Sequence, residues 1–120
     1  MPNTNVIIRE CWSGLTRILL VFAPGERIPP AGYAHIETDA TRHWFAVWVH
    51  DAYRGRGYGR KLLSLACAMA DLRGITLSLT AKPNLVDWYA SAGFARKDTP
   101  EGVAMADGQT YMEREPNQVP

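Results

Sequence analysis

Along the first part of the chain apolar residues recur at short, strand-like intervals; beyond the glycines at 55, 57 and 59 the period lengthens to that of a helix. Val6 to Trp12 is a short β-rich run, Ser13-Gly14 reads as a tight turn, and Leu15 to Phe22 is a second strand. Pro24-Gly25 and Pro29-Pro30 break the chain. Gly32 to Thr38 alternates, which puts Tyr33, His35 and Glu37 on one face and Ala34 and Ile36 on the other. His43 to Val49, dense in aromatic and β-branched residues, is a fourth strand.

Leu62, Leu65, Ala66, Met69 and Leu72 then follow the spacing of one helix face, and Gly74 is a natural stop after Arg73. Ile75 to Ala81 returns to strand. Pro83 ends it, and Asn84 can cap a second helix whose face carries Leu85, Trp88, Tyr89 and Ala92, closed by Gly93. Phe94 to Lys97 and Thr110 to Glu113 are short closing strands joined by a polar loop. The order β-β-β-β-α-β-α-β-β predicts an α/β (α+β) mixed sheet. Strands four and five, joined through a helix, should be parallel.

Composition narrows this only modestly. A chain of 120 residues is one domain, taken as 1–115 with a frayed polar tail at 116–120. The apolar fraction of 47% excludes wholesale disorder. Thirteen basic against twelve acidic side chains give a net charge of +1, so no global field steers the chain onto nucleic acid or anionic lipid. No apolar run reaches the roughly 18 residues of a membrane span, and the N-terminus lacks the basic and apolar regions of a signal peptide. Cys11 and Cys67 have no metal-ligand spacing. The expectation is a cytoplasmic protein with two reduced, partly buried thiols and no metal.

The strongest local chemistry is Arg54-Gly55-Arg56-Gly57-Tyr58-Gly59-Arg60-Lys61, which follows a strand and opens a helix. First-turn N–H groups there have no helical partner, the helix dipole favours negative charge, and glycine lets a phosphate approach the backbone. Four basic side chains surround the turn, so a pyrophosphate is the expected guest. A dinucleotide fingerprint starting at Gly55 would need glycine where Arg60 stands. A P-loop would likewise need glycine at 60, and Ser or Thr where Leu62 follows Lys61. The pattern [RQ]-x-x-G-x-[GA] fits at Arg54, Gly57 and Gly59.

With that pattern, His43 through Leu63 resembles the coenzyme-A-binding core of the GNAT superfamily of N-acetyltransferases. Lys82 through Phe94, with Trp88-Tyr89-Ala90-Ser91-Ala92-Gly93-Phe94, resembles the family's later signature, a helix with a tyrosine near its end followed by Gly-Phe. The two blocks cover about half of the chain in the family's order. The resemblance implies the GNAT-like acyl-CoA N-acyltransferase fold, acetyl-CoA as cofactor and transfer of the acyl group to an amine. It places the pyrophosphate on the amides from Gly55 and Arg56 to Lys61 beside Arg54. The pantetheine arm lies along Val47, Trp48 and Val49, between splayed strands four and five, with Asn84 near the cofactor. It makes Tyr89 the proton donor to the departing thiolate. Two helices that usually follow the family's first strand, and that wall the acceptor site, have no room at Cys11-Trp12-Ser13-Gly14.

An attacking amine must also lose a proton. His43 falls where the histone-acetyltransferase branch of the family places its base. Glu37 and His35 on the preceding strand are rivals, and a mechanism with no dedicated base is a further alternative. Of Trp12, Trp44, Trp48 and Trp88, most are expected in the core, with one or two at the acceptor mouth. The expected acceptor is large, a protein or other macromolecule, and a homodimer could supply the missing wall. The alternative is a coenzyme-A-binding or protein-interaction module without turnover.

Overall fold

Alternating patterns become four antiparallel strands in chain order: β1 (Ile7–Ser13), β2 (Thr16–Phe22), β3 (Gly32–Thr38) and β4 (His43–Val49). The computed structural model describes residues 7–13, 16–22, 30–39 and 41–117. Val6, the Gly14 turn, Leu15, Pro24-Gly25 and Pro29 lie outside the described residues. After β4 come a single 3₁₀ turn (Asp51–Tyr53), α1 (Tyr58–Arg73), β5 (Leu77–Ala81), a second 3₁₀ turn (Pro83–Leu85), α2 (Val86–Ala90), β6 (Ala95–Arg96) and β7 (Thr110–Arg114). Strand order in the seven-stranded sheet is β1-β2-β3-β4-β5-β7-β6. The expected element order and the parallel β4–β5 relation both hold.

That parallel pair is short. β4 meets β5 only at His43↔Leu77 and Trp44↔Ser78, and from Phe45 onward the two strands part. Every other neighbour of the inner strands stays in register along its length. The sheet therefore opens a wedge between β4 and β5 toward the end where α1 begins.

The two faces of the sheet differ. Ala34, Ile36, Phe45, Leu77, Leu79 and Met112 point to one face and are buried under Leu62, Leu63, Ala66 and Ala70 of α1. Val86, Tyr89 and Phe94 complete that core. Gly32 is required at the β3–β4 pair because a Cβ there would lie 2.6 Å from the Trp48 carbonyl oxygen. Buried Arg114 of β7 ties the helix layer together: Nη1 donates to Asp71 Oδ1 of α1 at 2.8 Å, and Nε donates to the Ala92 carbonyl after α2 at 2.7 Å. The opposite face carries no helix among the described residues.

Four details correct the sequence reading. The buried stripe of α1 is Leu62, Leu63, Ala66, Cys67 and Ala70, whereas Leu72 is 87% exposed. Small residues at 66 and 70 let the helix approach the sheet more closely than the rows of larger side chains would. α2 is one turn preceded by a 3₁₀ turn; Leu85, not Asn84, stands at its start, and no side chain caps it. Cys11 is exposed and only Cys67 is buried. The tail is not free from residue 116, because the Asn117 backbone N–H donates to Asp71. Residues 118–120 lie outside the described residues. No helix is long and apolar enough to cross a membrane.

Candidate active site

The glycine turn sits where β4, having left β5, hands the chain to α1. Gly55 and Gly57 take positive φ, 79° and 85°, which L side chains rarely adopt. Lys61 N–H donates to the Gly57 carbonyl as the first helical bond. The N–H groups from Gly55 to Arg60 have no backbone acceptor among the described residues. Their dipoles and that of a sixteen-residue helix converge on one exposed spot.

The four basic side chains are arranged unequally. Arg54 Nε lies 3.2 Å from the Val49 carbonyl and 3.2 Å from Asp51 Oδ1, which folds it back over the end of β4. The Arg56 guanidinium stands 5.4 Å from the Tyr53 ring centre. Arg60 turns away from the turn: Nη1 donates to Ser91 Oγ at 3.0 Å, and its guanidinium lies 5.6 Å from the Trp88 ring centre. Arg60 thus joins the start of α1 to the end of α2. Lys61 is half-buried on the first turn of α1. A Cβ on Gly59 would meet Val49 at 3.4 Å and Trp88 at 3.6 Å, so this turn packs closely between β4 and α2.

Tyr89 is brought to the wedge by a run of aromatic contacts. Its ring centre is 5.0 Å from Trp88 and 5.6 Å from Phe94, and Phe94 stacks 6.3 Å from Phe45. Phe45 is the first β4 residue beyond the pairing with β5. Burial pushes the Tyr89 phenol above its ordinary 10.0, so it is protonated at neutral pH. Its hydroxyl has no hydrogen-bond partner among the described residues. Val47 and Val49 lie half-buried along the same stretch of β4, and Trp48 faces outward, 41% exposed. Asn84 is exposed on the 3₁₀ turn before α2.

The two base candidates are separated. His43 points into the helix layer, accepts or donates a 2.9 Å bond with Thr38 Oγ1, and lines a cavity of about 130 Å³ with Met69, Ala70 and Arg73 near the last turn of α1. It precedes the point where the strands part. Glu37 lies on the bare face, exposed, in register with Trp44. His35 shares that face, half-buried. The tryptophan expectation fails: none of Trp44, Trp48 and Trp88 is fully buried, and the Trp12 side chain lies outside the description.

A polar cluster that no local signal marks stands beside the wedge on the bare face. Trp44 Nε1 donates to Asp39 Oδ2 at 2.8 Å, and the Trp44 ring meets Tyr111 edge-on at 6.0 Å. The Tyr111 hydroxyl donates to Glu113 Oε2 at 2.5 Å, accepts from Arg42 Nε at 3.2 Å and lies 3.2 Å from Ser78 Oγ. Tyr111 is 1% exposed although it belongs to this face. The loop between β6 and β7 folds over it.

A family model described as an acetyltransferase (GNAT) domain matches residues 16–96, well over half of the chain. The chain belongs to the GNAT acetyltransferase family. Its cosubstrate is accordingly acetyl-CoA, and the family's general activity is acetyl transfer. No curated protein sequence matches the chain. Among solved structures the fold is shared with Escherichia coli ElaA, at TM-score 0.68 and 24% identity, over 86% of this chain and 70% of that one. It is shared with a GNAT-family acetyltransferase from Staphylococcus aureus, at TM-score 0.64 and 17% identity, over 83% and 68%. A third likeness is a chimera of the Vibrio cholerae spermidine N-acetyltransferase SpeG with hSSAT, at TM-score 0.67 and 15% identity, over 85% and 68%.

The residues fit acetyl-CoA. Unpaired N–H groups and a left-handed Gly57 at the start of α1 suit a pyrophosphate. The β4 edge from Phe45 to Val49 faces no strand, which suits an extended arm bearing amides.

Proposed function

We propose that this GNAT chain acetylates a primary amine by direct attack of the amine on the acyl donor in a ternary complex. The observation that carries this reading is the coincidence of three features at one wedge: β4 parts from β5 at Phe45, the glycine turn closes its wide end, and Tyr89 is packed through Phe94 against Phe45.

Acetyl-CoA supplies an activated acyl thioester. The amides from Gly55 to Lys61, with Arg54 and Arg56, hold the pyrophosphate, and the free edge of β4 at Val47–Val49 orients the arm along the wedge. Arg60 contributes by bracing α2 against α1 rather than by touching phosphate. Tyr89 holds a proton on its phenol oxygen and delivers it to the departing sulfur. The amine approaches from the bare face, opposite α2, and must lose one proton. Glu37 lies on that face and is the better placed acceptor, whereas His43 is turned toward α1. Asn84 stays at the rim of the cofactor site. The exposed Tyr33 and Trp48 side of the bare face leaves room for the body of a large acceptor.

Calorimetry with acetyl-CoA tests the reading. Binding is expected, and none at concentrations on the order of hundreds of micromolar would overturn it. Tyr89→Phe should slow turnover by about 10²- to 10⁴-fold and leave acetyl-CoA affinity unchanged. An equal loss of both would make Tyr89 a packing residue only. The bare sheet face favours a second reading, a coenzyme-A-binding module without turnover; it predicts bound cofactor and no thiol release with any amine.

A further inference from the structure

On the bare face, directly over the line along which β4 and β5 separate, lies a cavity of about 480 Å³ bounded by Trp44 of β4 and Thr80 of β5. Its remaining walls are Asp39, Thr41 and Arg42 on the β3–β4 side and Glu101 to Ala104 from the β6–β7 loop. The polar loop, which carries no periodic signal, thus stands where an acceptor site without the family's extra helices would be open to solvent.

We propose that this cavity receives the acceptor amine as an alkylammonium group, and that the loop at Glu101–Ala104 is its outer wall. The inference rests on the acetyl-transfer reading above and gives that site its acceptor pocket. Three observations carry it. The cavity lies on the opposite side of the sheet from Tyr89, so an amine seated in it faces the wedge from the side away from the proton donor. Its charge balance is two carboxylates against one guanidinium, and Arg42 is already engaged with Tyr111. The Trp44 indole presents an aromatic wall, which attracts a cation. Asp39 is held charged by the N–H groups of Thr41 and Arg42 and by the Trp44 indole, its carboxyl lowered to about 2. Glu101 makes no bond among the described residues, so its carboxylate is available to an incoming ammonium. A lysine side chain and a free aliphatic diamine present the same chemistry here.

The test follows the indole N–H resonance of Trp44 in the full-length ¹⁵N-labelled protein, assigned with Trp44→Phe. The two probes are 1,5-diaminopentane and a blocked peptide with one lysine. A saturable shift is expected with at least one probe, and which one distinguishes a free amine from a polypeptide lysine. Glu101→Gln should weaken that binding about two- to fivefold. Ala104→Trp, placed on an exposed loop position, should fill the cavity, abolish the shift and lower amine turnover at least about tenfold, with acetyl-CoA affinity by calorimetry unchanged. No shift with either probe, or an Ala104→Trp protein that binds and turns over amine as the parent does, overturns the pocket. Failure of acetyl-CoA to bind would overturn the acetyl-transfer reading instead, and the indole titration would still report on the cavity.

Discussion

The two faces of the sheet solve different problems with the same strands. On the helix-covered face Ala34, Ile36, Phe45, Leu77 and Leu79 are almost wholly buried, and the one buried cation, Arg114, is paired with Asp71 and the Ala92 carbonyl. On the other face Tyr33, Trp48 and Glu37 remain exposed, and hydrogen bonds run through Trp44, Asp39, Tyr111 and Glu113. The covered face supplies stability and aims Tyr89 at the wedge. The bare face contributes little stability and offers the surface on which an acceptor can approach. Opening the sheet between β4 and β5 is tolerable because α1, α2 and Arg114 hold the two halves together from one side.

The sharpest way to break this contrast is to delete core volume. Leu62→Ala should lower unfolding free energy by about 4 kcal/mol in urea titrations, whereas Trp48→Thr on the bare face should cost less than about 1 kcal/mol. Similar losses at both positions would mean that the faces are not energetically distinct. Next comes the ion pair that spans α1, α2 and β7. Asp71→Ala leaves the buried Arg114 charge without its carboxylate and should cost about 3 kcal/mol, read as a lower denaturation midpoint. At the glycine turn, Gly57→Ala meets no neighbour within 4 Å, so only the backbone penalty at φ 85° remains. That is about 1 kcal/mol of stability, with a larger relative loss of acetyl-CoA affinity by calorimetry.

The smallest expected effect belongs to Asp39 on the bare face. Its folded carboxyl is depressed from the ordinary 3.8 to about 2. The stabilisation it provides is therefore complete above 3.8 and is lost as pH falls toward about 2. The difference in thermal midpoint between the parent protein and Asp39→Asn should shrink to nothing across that window. A difference that persists at pH 2 would assign the effect to packing of Trp44 rather than to charge.

Much of this architecture is legible in the amino-acid order. β3 and β4 run over the residues their alternation predicts, and α1 ends at Gly74 as its composition suggests. The glycine turn and the Trp88–Phe94 block identify the cofactor side because both are local: each needs only neighbouring residues in a particular order. The α1 face is less legible. Five apolar residues share the spacing of a helix stripe, yet Leu72 is exposed and Ala70 is buried, since the sheet selects small residues that permit close approach. Arg60 reads as a phosphate ligand from its place in the turn, and only its contacts with Ser91 and Trp88 show it bracing two helices.

By itself, then, the order of residues determined the element sequence, the parallel crossover and the anion-seeking turn, because strand alternation, helix period and glycine conformations are properties of short segments. Tertiary structure decided which face stays bare, where β4 leaves β5, that His43 and Glu37 point to opposite sides, and that a featureless loop roofs Trp44 and Thr80. Each of these depends on contacts between residues such as Asp71 and Arg114, or Trp44 and Glu101, that are distant in the chain. No local pattern encodes their meeting.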